Sequence, residues 1–282
     1  MNQTTVLVHT GTQFPGHIND CITLLKNQHS EVHLIISKGL VKYVKDPLIK
    51  VIPAEDLEDS SINTYSVNGY PSDFKDGFFT RTSSRFLLLH RYAERENLTS
   101  FFHIENDVAL LTQLQHTKKI LEKSSKEMFL IMDNPYRCVP SLLWFRSKDI
   151  LKKLSKFLLL SCNHTDMENL ALFFNSYRHL VGNLPIVDEN ISNDLDIDFS
   201  YQLNDLQLIF DGAALGQYLF GIDDPTGNPM QSIGFINETT VFSPADFNIQ
   251  RQNNIFHLSK NTRKPHQIAN LHMHCKNLKQ LL

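Results

Sequence analysis

The sequence predicts an α/β fold, with a mostly parallel central sheet flanked by helices and a less regular second half. Three observations carry this. Residues 5–37 read as strand, helix, strand, the pattern of a βαβ unit. Short apolar runs then alternate with segments of helical spacing as far as residue 160. Beyond that point the alternation weakens, and stretches rich in Asn, Gly and Pro take over.

In chain order, residues 5–9 (TVLVH) are β-branched and apolar, a buried-strand pattern that a turn containing Gly11, Pro15 and Gly16 closes. Residues 17–27 repeat apolar side chains at Ile18, Ile22 and Leu25, which is helical spacing. Residues 32–37 and 49–52 are further strands, and 60–79 reads as a polar loop. Residues 83–96 form an amphipathic helix with Phe86, Leu89, Tyr92 and Ala93 on one face. Residues 101–104 (FFHI) are a strand, 110–123 a helix, and 128–132 and 141–145 strands. A helix over 147–160 turns Ile150, Leu151, Leu154, Phe157 and Leu158 inward. Residues 181–205 read as an acidic loop, 211–220 as a helix, 225–246 as mostly loop, and 269–274 as a strand.

Composition bounds the function. With 282 residues, 41% hydrophobic and 20% charged, the chain can bury a core without cross-links. The expectation is one domain whose halves are residues 1–138 and 139–282. A formal net charge of -3 gives no whole-chain field that would draw nucleic acid. Cys21, Cys138, Cys162 and Cys275 form no CxxC pair, which disfavours a zinc ribbon and fits a reducing compartment. The opening residues carry no basic, long-apolar leader, and no apolar run approaches the ~20 residues of a membrane helix. The expected location is the cytoplasm, where the Asn-x-Ser/Thr triplets at Asn97, Asn163 and Asn237 are chance matches.

Three segments carry candidate chemistry. The strand FFHI delivers Glu105, Asn106 and Asp107 at its carboxyl end, where ligands bind in open α/β sheets. Two carboxylates there can hold Mg²⁺ or Mn²⁺, with phosphate oxygens and water completing the shell. The plainer reading is a solvated turn in which Asp107 caps the next helix. Near the C-terminus, LHMHCKNL places His272, His274 and Lys276 on one face of an extended strand. They can supply a metal ligand and a phosphate-binding cation, or be incidental to an edge strand. In FDGAALGQYLFGID, Asp211 stands at a helix start whose Gly and Ala face permits close approach. That segment is either a tightly packed capped helix or a substrate-facing one. Arg81 and Arg85 flank TSS at another helix start, a possible anion site or simply surface arginines. No dinucleotide fingerprint or GxxxxGK[ST] loop occurs.

Together these segments resemble the glycosyltransferases of the GT-A fold, nucleotide-sugar enzymes with a DxD-type motif. The likeness extends over nearly the whole chain, from VLVHTGTQFPGH through FFHIENDVALL and FDGAALGQYLFGID to NLHMHCKNL. It implies a metal-dependent transferase moving a sugar from a nucleoside-diphosphate donor, UDP-sugar by family habit, to a hydroxyl of a glycan or related acceptor. On that resemblance Asp107 is the firm ligand of Mn²⁺ or Mg²⁺, and Glu105 replaces the first Asp. His274 or His272 completes the set, with His274 favoured. Lys276 contacts the diphosphate. His9, Thr10 and Gly11, ending the first strand, meet the nucleotide base, and Asn106, Arg81 and Arg85 lie near the nucleotide. Asp211 faces the donor sugar and is the candidate base. The acceptor pocket falls between residues 139 and 265, with Asp166 and Trp144 as contacts. A sugar-phosphate nucleotidyltransferase and a non-catalytic carbohydrate-binding protein are the alternatives on the same scaffold.

Overall fold

The computed structural model describes residues 3–72, 74–189, 191–222, 233–260 and 264–282. The chain opens with β1 (Gln3–His9), α1 (His17–Asn27), β2 (Ser30–Ile36) and β3 (Lys50–Pro53). A single helical turn, α2 (Ser60–Asn63), precedes α3 (Phe78–Arg95) and β4 (Thr99–Ile104). Then come β5 (Val108–Leu110), α4 (Gln115–Lys123), β6 (Met128–Leu130), β7 (Met132–Asn134), β8 (Arg137–Cys138) and β9 (Leu142–Ser147). Next are α5 (Lys148–Leu160), α6 (Asp166–Ser176), β10 (Val181–Asn183), α7 (Leu203–Leu206), β11 (Leu208–Ile209) and α8 (Ala214–Phe220). The last strands are β12 (Asn248–Gln252), β13 (Ile255–Ser259), β14 (His266–Ile268) and β15 (Asn270–His272).

Seven strands form the central sheet in the order β10-β6-β9-β4-β1-β2-β3. All neighbours are parallel except β9, which runs antiparallel to β4 and β6. This is the mostly parallel α/β architecture the periodicity predicts. The strands nearest the middle are apolar throughout because helices cover the sheet. Val6, Leu7, Phe101, Phe102, Phe145 and Trp144 are all fully buried. Helix α1 packs on β2 and β5, and α3 on β1 and α5. Among the described residues, no helix is long and apolar enough to cross a membrane.

Several elements depart from expectation for local reasons. Helix α3 starts five residues earlier than the apolar stripe suggests. Phe78 and Phe79 pack with Phe74, and the hydroxyls of Thr82 and Ser84 bond back to the carbonyls of Phe79 and Arg81. Of the helix expected over 110–123, Leu110 belongs instead to the strand β5, and α4 begins only at Gln115. Helix α6 was not expected at all, although Thr165 and Glu168 form a capping box at its start. Residues 181–183 pair with β6 instead of looping. The hairpin of β12 and β13 turns at Asn253 and Asn254. Of the loop expected over 225–246, residues 225–232 lie outside the described residues, as does Asp223.

Candidate functional site

Two strand ends build the site. β4 ends at Ile104, and the chain turns through residues 105–107 with the Val108 N–H donating to the Glu105 carbonyl at 3.2 Å. β5 then runs antiparallel to β15, with His272 opposite Val108. The Met273 N–H donates to the Asp107 carbonyl at 2.8 Å and fixes this register one residue further. The C-terminal segment is thereby laid beside the acidic turn, with His272 165 residues beyond Asp107 in sequence.

The side chains converge accordingly. One ligand atom each from Glu105, Asp107 and His272 lies within 4.8 Å of the others. His272 Nε2 stands 3.3 Å from Asp107 Oδ1 and 3.6 Å from Glu105 Oε2. Donors at about 2.1 Å from one octahedral cation stand about 3 Å apart when adjacent, so this set fits a divalent ion. The fit extends to the imidazole. His272 Nδ1 donates to the Gly212 carbonyl at 2.7 Å, which orients the ring so that Nε2 faces the carboxylates.

Electrostatics bind the group together. Burial alone would raise the Asp107 carboxyl, but the Lys276 ammonium and the His272 ring outweigh it and hold Asp107 well below the usual range. Lys276 donates directly to Asp107 Oδ2. Burial opposes protonation of His272, yet Asp107 and then Glu105 carry it up to about 9. Burial likewise works against Glu105, and Arg85 more than compensates. Lys276 reaches back to Asp107 from a left-handed backbone, φ 57°, its N–H bonded to the Met273 carbonyl. That turn ends the strand at His272 and removes the extended face that would have aligned His272, His274 and Lys276.

The structure therefore places His272, and not the favoured His274, among the three converging donors. The His274 ring lies against the His272 ring, with centroids 4.5 Å apart and planes tilted by 52°. Burial, then the nearby His272 and Lys276 charges, push it down to about 2, so its imidazole is neutral. Arg85 is buried, yet it still lines the cavity of His9, Thr10 and Asn106. Its guanidinium is held between Glu105 and Asp166, the latter at 2.5 Å. Asp166 is 3% exposed and committed to that pair. Trp144 lies in the sheet core with no exposed surface, so it is not an acceptor contact.

Asp211 also has a different task from the one expected. It is buried, and its oxygens accept from the backbone N–H groups of Leu215 at 2.9 Å, Gly216 at 2.8 Å and His272 at 2.9 Å. A carboxylate engaged this way holds α8 against β15 and is not poised to take a proton. Gly216 makes the contact possible, because a Cβ there would lie 2.0 Å from the His272 carbonyl oxygen.

Two cavities meet at the acidic turn. One, about 290 Å³, is lined by His9, Thr10, Gly11, Arg81, Asn106 and Lys276 among others. A polar chain runs along its wall that the sequence did not suggest. His9 Nε2 donates to the Gln13 carbonyl at 2.8 Å, its Nδ1 accepts from Asn106 Nδ2 at 3.2 Å, and His17 Nε2 donates to Asn106 Oδ1 at 3.1 Å. Arg81 pairs with Asp76 at 2.6 Å and is partly exposed. The second cavity, about 500 Å³, lies on the other side, toward Gln217, His272 and His274.

No protein-family profile and no curated protein sequence matches the chain. Similar solved structures include mouse xyloside xylosyltransferase 1, with a TM-score of 0.45 and 10% identity over 65% of this chain and 85% of that one. The glycosyltransferase GlyE of Streptococcus pneumoniae gives 0.43 and 9% identity over 65% of this chain, which spans 45% of GlyE. The 4-diphosphocytidyl-2C-methyl-D-erythritol synthase of Anaerococcus prevotii gives 0.40 and 9% identity, covering 73% of this chain and 93% of that one. Likeness of this degree assigns no activity. What stands on this chain's own geometry is a metal-competent group of two carboxylates and an imidazole, between two cavities, at the carboxyl end of a mostly parallel sheet.

Proposed function

We propose that this protein is a metal-dependent glycosyltransferase that moves a sugar from a nucleoside-diphosphate donor, a UDP-sugar by first choice, to a hydroxyl of a glycan or related acceptor. The observation that carries the reading is the convergence of Glu105, Asp107 and His272, with Lys276 on Asp107, where the two cavities join. Those three side chains would hold Mn²⁺ or Mg²⁺. When bound, such a cation neutralises negative charge developing on a diphosphate leaving group.

The chain's own groups fill the remaining roles. Lys276 supplies a second positive charge next to the same turn, suited to a phosphate oxygen. The cavity of His9, Thr10 and Asn106 takes the nucleoside, and Arg81 at its rim adds charge. The hydrogen bonds of Asn106 to His9 and His17 fix the floor on which the nucleoside rests. Arg85 keeps Glu105 in place, and Asp211 acts as a positioning residue through the backbone of His272. The sugar is carried in the second cavity.

The test is calorimetric titration of UDP, GDP, CDP and dTDP with Mn²⁺ and with chelator. One nucleotide should bind in a metal-dependent way. Asp107→Ala should keep the fold, seen by circular dichroism, and weaken that binding at least about a hundredfold, since a charged ligand group is lost. Unchanged Mn²⁺-dependent affinity in a folded Asp107→Ala variant would overturn the site.

A further inference from the structure

The second cavity contains a buried polar atom with no structural use. Gln217 is 5% exposed and lines this cavity. Its Oε1 has no hydrogen-bond partner among the described residues. Leaving an amide oxygen buried and unpaired is costly, because its water has been lost and nothing replaces it. The position of Gln217 is no accident of a loose chain. Its backbone N–H donates to the Ala213 carbonyl at 3.1 Å, and the two residues before it are clamped by Asp211. His274, which lines the same cavity, shows the same feature: its Nε2 is buried and unpartnered among the described residues.

The chemistry of these atoms limits what can fill the space. An amide oxygen is an acceptor, so it repels phosphate and carboxylate and calls for an O–H or N–H donor. The ring nitrogen of His274 left without a partner is likewise a polar atom that a hydroxyl can pair with. Val139, Pro140, Met167 and Phe235 add apolar surface to a lining that also carries Arg137, Asp166 and Asn237. A ring with hydroxyls on its edge and C–H groups on its face meets both requirements.

We infer that Gln217, with His274, is the specificity-determining pair for the transferred sugar, its side-chain oxygen accepting a hydrogen bond from a ring hydroxyl. This rests on the proposed glycosyltransferase reading and adds to it which residues select the sugar. Neither residue lines the first cavity, which takes the nucleoside in that reading.

The experiment compares wild type with Gln217→Met, which has similar length and no polar atom. Affinities are measured with Mn²⁺ for the free nucleotide that binds and for its glucose, galactose, xylose and N-acetylglucosamine conjugates. The expected result is that the best-bound conjugate weakens about tenfold. The free nucleotide should change less than about twofold. The ligand-free melting temperature should stay the same or rise, since an unpaired buried oxygen has been removed. Equal weakening of nucleotide and conjugate, or no weakening of either, overturns the inference. So does a nucleotide that binds while no conjugate does. A large fall in ligand-free stability would show that Oε1 is paired within the fold, and overturns it too. Absence of binding by every nucleotide is a distinct outcome, one that removes the glycosyltransferase reading itself.

Discussion

The guanidinium of Arg85 sits between two carboxylates, Glu105 and Asp166, and all three are largely withdrawn from water. Removing one partner of a buried ionic group leaves the others uncompensated. Arg85→Ala should therefore lower unfolding free energy by about 3–5 kcal/mol in urea titrations, a larger loss than any surface arginine would show. Arg85→Lys should recover little of it, because one ammonium cannot match a fork that serves two carboxylates. Asp133 makes the opposite case. Burial pushes its carboxyl up to about 6, and Arg137 and Thr239 only partly offset this. Above pH 6 the folded protein carries this charge at a cost that the unfolded chain does not bear. As pH falls from about 6 toward 4 the folded state takes up the proton first, and this residue's penalty fades away. Asp133→Asn should raise stability at pH 7 by about 2–3 kcal/mol, with the gain vanishing near pH 4. Denaturant curves at the two pH values check the sign, and equal effects at both would refute it.

At the scale of elements, helix α8 and strand β15 are held together by one carboxylate and one missing side chain. Gly216→Ala would drive a methyl group into the His272 carbonyl, a backbone atom that cannot step aside. The helix must move off the strand, at about 1–3 kcal/mol of stability. His272 should move with it, so divalent-cation affinity should fall at least about tenfold in the folded variant. A variant with intact affinity would show that the α8–β15 contact does not position the imidazole. The same elements show what was legible in the sequence. Strand β4 and its acidic end were readable because an apolar run followed by Glu105 and Asp107 is a local pattern. Helix α1 was readable from its apolar spacing, residue for residue. The pairing of β5 with β15 was not, because each is three residues long and its partner is remote. The choice between His272 and His274 hung on the turn at Lys276, a left-handed residue no local pattern announces. Helix α6 was missed although its capping box was there to be read.

Across the whole molecule, the acidic turn and the C-terminal segment are joined by a short antiparallel pair and by the charges around Asp107. Beyond it, Leu278 and Leu281 are buried, and the turn they belong to packs on α1 and β5. A cation held by Glu105, Asp107 and His272 would tie these distant parts of the chain a second time, in the native state alone. Binding of that kind adds stability by mass action, about 2.7 kcal/mol at a hundred times the dissociation constant. At about 2.1 cal/mol/K per residue, a chain of this length should then melt about 4–5 °C higher with saturating Mn²⁺. Chelator should reverse the shift, and Asp107→Asn and His272→Ala should each abolish it. His274→Ala should retain it, because that ring lies outside the donor group. Loss of the shift in His274→Ala with retention in His272→Ala would exchange the two histidines and refute the arrangement on which the site is built.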